Sequence, residues 1–177
     1  PASTLAEYGT QSSASTDLAE LFEMAEAPLE TPKPPRLMSD FASWFCDEQD
    51  IVMDFFAGSA STAQSVFELN SKTNKKLNFI LVQLPEICDL GSAAYKAGYQ
   101  TIAEISKERI RRAAAKIKTE QTEAQAKADL FDDGTANTIL DLGFRVFKLQ
   151  KSNFKVWDAN TPKDPEAIQQ ALELHVD

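Results

Sequence analysis

Two short apolar runs constrain this chain most. IVMDFF at 51–56 and NFILVQL at 78–84 are each the length of a strand, and their apolar residues do not simply alternate with polar ones. Runs of this kind suit parallel strands covered on both faces. The first is ended by Ala57-Gly58-Ser59 and the second by Pro85. Between them STAQSVFELN at 61–70 reads as a helix, with Ser59 or Ser61 near its N-cap, and SKTNKK makes the turn back. Strand, turn, helix, strand is the pattern of a βαβ crossover, so an α/β fold is expected.

The flanks are read around that unit. Residues 1–20 are rich in Ser, Thr, Ala and Gln and are expected to be a poorly ordered lead-in, with Asp17 capping a short helix at 18–26. Four prolines in APLETPKPPR at 27–36 favour an extended strap. Leu37, Met38, Phe41, Trp44 and Phe45 share one helical face, which predicts a core-packing helix over 37–47. TIAEISKERIRRAAAKIK at 101–118 reads as one long helix. Ile102, Ala103, Ile110, Ala113 and Ile117 form its apolar arc, with Lys107, Arg109, Arg111, Arg112, Lys116 and Lys118 beside and opposite it. The plain reading is a surface helix with a solvated basic margin; the sharper one is a phosphate-contact or docking face. Residues 119–137 are expected to be a frayed helix and loop, 143–150 a third strand, and 162–176 a terminal helix.

Several function classes drop out. A net charge of −9 argues against a stand-alone nucleic-acid binder, and 43% hydrophobic residues argue against global disorder. No apolar run reaches the roughly 18 residues of a membrane helix, and Cys46 and Cys88 form no metal or disulfide pattern. A cytoplasmic, soluble protein without a metal site is expected. His175, the single histidine, lies near the chain end, and Asp132-Asp133 suit a turn. The chain begins at Pro1, which suggests a fragment or a processed product.

The chemistry is expected at Asp54–Thr62, where a strand turns into a helix. Ligands of open α/β sheets bind at such carboxyl ends. Free amides at the helix start would hold a carboxylate or phosphate, and Asp54 would attract a cation. Together these suit an amino-acid moiety. Neither a P-loop nor GxGxxG is present.

TPKPPRL at 31–37 and DIVMDFFAGSASTAQSVFELN at 50–70 resemble the amino-group DNA methyltransferases of the permuted β class. FILVQLPE at 79–86, KAGYQTIAEISKERIRRA at 96–113 and GFRVFKLQKSNFKVW at 143–157 narrow the resemblance to the modification subunits of type III restriction–modification systems, N6-adenine methyltransferases. The resemblance implies an incomplete Rossmann-like sheet and S-adenosylmethionine as cofactor. It carries cofactor contact onto Lys33 and Pro34 of the strap, and onto Asp54, Phe55, Ala57, Gly58 and Ser59 of the loop. Gln83 and Glu86 stand near the place of the acid that binds the cofactor's ribose. Ala60 replaces a family glycine, which costs affinity if that position needs a positive φ.

The [D/N/S]PP[Y/F/W] motif that holds the target base is absent, so no catalytic residue is assigned and the chain is expected to be inactive alone. By the resemblance, 1–30 is a flexible lead-in with a short helix, 31–157 the cofactor-side portion of the methyltransferase domain, and 158–177 a C-terminal helix. DNA and other restriction–modification subunits would be partners of the parent enzyme. The strand at 51–56 would be a bare edge, expected to self-associate or to be covered by an N-terminal segment. Two other readings stand beside this one: a nucleotide-binding domain of another enzyme, and a non-catalytic docking module.

Overall fold

The computed structural model describes residues 8–73, 75–131, 140–150, 164–166 and 168–169. The chain divides into two units, Pro1–Gly143 and Phe144–Asp177. The first unit carries all the named elements: α1 (Gln11–Phe22), α2 (Pro35–Phe45), β1 (Ile51–Asp54), α3 (Ser61–Lys72), β2 (Asn78–Leu81), α4 (Ala93–Lys96) and α5 (Ile102–Phe131).

The βαβ unit forms as expected. β1 and β2 pair in parallel, with Ile51 opposite Asn78 and Asp54 opposite Leu81. Asn70 near the end of α3 fixes the return: its side chain accepts from Leu77 N at 3.0 Å and donates to Leu77 O at 2.9 Å. Successive strand residues point to opposite faces. Val52 and Phe79 pack against Ala42, Val66, Leu69 and Leu77, so α2 and α3 cover one face. On the other, Ile51 (59%), Met53 (50%) and Ile80 (47%) are exposed. The composition of a doubly covered strand therefore meets a sheet covered on one side, and the described residues form a mixed α/β fold with a two-stranded parallel sheet.

Several expectations are corrected. Residues 11–22 are not a loose lead-in but α1, started by a capping box in which Thr10 Oγ1 accepts from Ser13 N and Ser13 Oγ from Thr10 N. That cap acts upstream of Asp17, which lies inside the helix. α2 starts at Pro35, because proline at the first helical position sacrifices no hydrogen bond. Its aromatic face is not core: Trp44 and Phe45 are exposed, and only Pro35 and Ala42 are buried. Residues 143–150 are not assigned to a strand, and among the described residues no ladder pairs with them. The helix expected at 101–118 runs on to Phe131. The terminal-helix segment lies outside the described residues except for 164–166 and 168–169, where residues 165, 166, 168 and 169 are helical. His175, Trp157 and Asp132-Asp133 also lie outside them.

A second core joins α1 to α5. Leu18, Phe22, Cys88, Ala94 and Ile105 form it, with Tyr99 edge-on to Phe22 at 5.7 Å. Leu18 has no exposed surface. Leu18→Ala is expected to cost about 2–5 kcal/mol of unfolding free energy, read by urea denaturation. A cost below about 1 kcal/mol would mean that α1 does not contribute to the cooperative core.

Candidate functional site

The strand-end loop between β1 and α3 is tied down by hydrogen bonds on both sides of the exposed Phe55. Val82 N donates to Asp54 O at 2.8 Å and Ala57 N to Val82 O at 3.2 Å, continuing the parallel ladder past Asp54. The Asp54 carboxylate accepts from Phe56 N at 3.0 Å and from Thr62 Oγ1 at 2.6 Å, so it bridges the strand end to the first turn of α3. Gly58 N donates to Gln83 Oε1 at 2.7 Å, and Ser106 Oγ donates to Gly58 O.

Two residues of the loop are left-handed. Gly58 has φ +52°, which glycine adopts without steric cost, whereas a Cβ there would meet only ordinary contact with Leu29 at 3.7 Å. The conformation, not the space, calls for glycine. Ala60 has φ +64°, and it is the N-cap of α3. The expected serine cap is thus corrected: no side chain caps α3. The sequence question about Ala60 is answered by the same torsion, because that position does need a positive φ. Left-handed alanine costs about 1–2 kcal/mol, but the buried methyl returns about 0.8 kcal/mol. Ala60→Gly is expected to shift unfolding free energy by no more than about 1 kcal/mol; a loss above about 2 kcal/mol would show that the methyl outweighs the torsion.

The first amides of a helix have no intrahelical acceptor, and in α3 no hydroxyl takes them. The serines flanking Ala60 turn instead to Arg109. Its Nη1 donates to Ser59 Oγ at 2.6 Å and to Ser61 Oγ at 2.8 Å, and its Nε donates to Gln64 Oε1 at 2.8 Å. Arg109 is only 1% exposed, and among the described residues no carboxylate lies within ion-pair distance of it. Burial lowers its pKa to about 10, partly offset by the more distant Glu68 and Asp17. It is therefore still a cation at neutral pH.

The basic face read from 101–118 needs correcting at this point. Arg109 is core, not margin. The signal was in the sequence: Arg109 stands two helical turns after Ile102, within the apolar arc itself. Arg112 is also engaged, donating to Glu108 at 2.8 Å and to Leu21 O at 3.2 Å, with its guanidinium over the Phe22 ring. Neither arginine is free for a partner.

The strap meets the loop. Pro35 O accepts from Ser65 Oγ on α3 at 2.7 Å, and Leu29 packs at Gly58. Lys33 and Pro34 line a cavity of about 230 Å³ with Tyr8, Thr31 and Leu37. Of the other sequence candidates, Ala57 and Ser59 are buried in the loop, while the Phe55 ring is exposed at the strand end. Gln83 reaches the loop; Glu86 does not, its carbonyl accepting instead from Ile102 N at the start of α5. Among the described residues no group of three or more His, Cys, Asp or Glu could hold a metal, and no helix is long and apolar enough to cross a membrane.

Comparison with known proteins covers this same region. Residues 8–116 match the family described as DNA methylase. The Mod subunit of the type III restriction-modification enzyme EcoP15I from Escherichia coli is 45% identical over 103 residues, 58% of this chain and 16% of that protein. The StyLTI Mod subunit of Salmonella typhimurium is 44% identical over 89 residues, 50% of this chain and 14% of that protein. The EcoPI Mod subunit of Escherichia phage P1 is 40% identical over 104 residues, 58% of this chain and 16% of that protein. The matched part of the chain thus spans no more than 16% of the length of these curated relatives.

Proposed function

The chain belongs to the DNA methylase family, and we propose that its residues 31–157 are the S-adenosylmethionine-binding portion of a site-specific adenine-N6 DNA methyltransferase of the type III restriction–modification kind. One observation carries this reading. The Asp54–Thr62 loop leads into an α3 start without a side-chain cap, beside a carboxylate and next to a proline strap packed on the same helix.

The residues fit the group. An uncapped helix start accepts a carboxylate, and Asp54 retains lone pairs for an amino group after its two internal bonds. A methionine moiety offers both. Lys33 and Pro34 would hold it from the strap, and Asp54, Phe55, Ala57, Gly58 and Ser59 from the strand end. Gln83 Oε1 already accepts from Gly58 N, so its contact with a ribose would come through its remaining polar capacity, and Glu86 would reach the sugar only from the β2–α4 segment. The cofactor supplies the methyl group when bound. This chain's part is to seat and orient that donor. Its sequence has no [D/N/S]PP[Y/F/W] motif to hold an extruded base, so transfer by the chain alone is not expected. The fold reading belongs with this: the two strands would be part of a larger Rossmann-like sheet.

DNA and restriction–modification subunits are the partners this reading implies, in the cytoplasm. Self-association through the uncovered sheet is the further expectation, since the described N-terminal helix α1 packs on the α5 side and Ile51, Met53 and Ile80 stay exposed. That exposed face is also what favours the second reading, a docking module. Calorimetric titration with S-adenosylhomocysteine separates them: binding by this ligand, with no heat from ATP or NAD, supports the cofactor portion. A folded chain that ignores all three ligands leaves the docking module.

A further inference from the structure

Among the described residues Arg109 is a buried cation without a carboxylate partner, which is unusual because buried charges are normally paired. Its partners are three neutral oxygens, two of them on the serines that flank the left-handed Ala60. Serine beside a helix start ordinarily accepts from the first amides. Here the guanidinium takes both hydroxyl oxygens, and the α3 amides keep no side-chain acceptor.

We infer that Arg109 is the positioning residue of the Asp54–Thr62 loop: it fixes Ser59 and Ser61 from behind, keeps their hydroxyls off the α3 amides, and directs a positive charge at the carboxylate of the ligand's amino-acid moiety. This rests on the cofactor reading for the identity of the ligand, but not for the holding of the loop. Arg109 does not touch the ligand, since it is closed off from solvent. Two effects add at the loop. The guanidinium and the helix start are both positive, and the surrounding burial leaves their field weakly screened. Ser106, one turn before Arg109 on α5, anchors Gly58 O by its hydroxyl, so α5 grips the loop at two levels.

The test compares the wild-type chain with Arg109→Met, a replacement of similar length that removes the charge and the donors. Amide hydrogen exchange over residues 58–62 is expected to quicken at least tenfold in the variant, while exchange in β2 stays unchanged. Affinity for S-adenosylhomocysteine is expected to fall at least tenfold, whereas 5′-methylthioadenosine, which lacks the amino-acid carboxylate, binds both proteins alike. Equal loss of the two ligands overturns the directed charge, and unchanged exchange at 58–62 overturns the positioning role. Should the wild-type chain take up neither ligand, the cofactor reading falls and the exchange comparison alone decides Arg109. If Arg109→Met does not fold, the double variant Ser59→Ala with Ser61→Ala removes the two hydroxyl partners and is read by the same exchange. Protection kept at 58–62 in that variant also overturns the positioning role.

Discussion

Asp54→Ala is expected to abolish S-adenosylhomocysteine binding and to destabilise the chain by about 1–3 kcal/mol. The two losses have separate causes. The carboxylate is the acceptor for Phe56 N and for the buried Thr62 hydroxyl, so its removal leaves a buried donor unmatched. It is also the only negative charge on the strand-end loop between residues 54 and 62, placed opposite the amide-rich helix start. Asp54→Asn separates the causes. An amide keeps an acceptor oxygen for Phe56 N and turns its NH2 to the Thr62 hydroxyl, which can accept, so stability should fall by less than about 1 kcal/mol. The charge is gone, so affinity should still fall at least tenfold. Calorimetry beside thermal melts reads both. An Asp54→Ala chain that binds the ligand like wild type would remove the loop from the cofactor site.

The parts of this structure legible in the sequence are those decided by nearest neighbours along the chain. The two strands, their parallel pairing and the helix between them follow from run length and the turn at Ala57–Ser59. The demand for a positive φ at Ala60 could be posed from sequence, because only a few residue types adopt that torsion cheaply. What escaped depends on which surfaces meet. α1 looked polar enough to stay loose, yet Leu18 and Phe22 find Ile105 and Cys88 far along the chain. α2 looked like core from its aromatic stripe, but only Ala42 and the proline face find cover. The segment 143–150 has a strand's composition, but among the described residues no ladder includes it. Charge alone sorts Arg109 to the helix margin, whereas its helical position puts it in the apolar arc. A basic residue on a buried face means that polar groups await it there, and Ser59, Ser61 and Gln64 are those groups.

The second large effect is expected at the uncovered sheet face. Met53 and Ile80 are directly paired in the β1–β2 register and both face solvent. Ile51 extends that face, and the exposed Phe56 (89%) lies just beyond the strand end. Among the described residues this two-stranded sheet has both edges open, and an open edge presents backbone donors and acceptors to another strand. Apolar surface and unpaired backbone together favour association with a second copy, in which both are removed from water. The wild-type chain is therefore expected to sediment faster with rising concentration. Met53→Lys with Ile80→Glu should shift it toward the monomer, because the new charges face each other across the pair and resist burial together. Both positions are about half exposed, so folding stability should change by no more than about 0.5 kcal/mol per site. The stability arm matters, since a variant that merely unfolds would also change its sedimentation. A wild-type chain that stays monomeric at every concentration, with the face bare, would show that hydrophobic exposure at this sheet does not drive association, and self-association would be withdrawn from the proposed function.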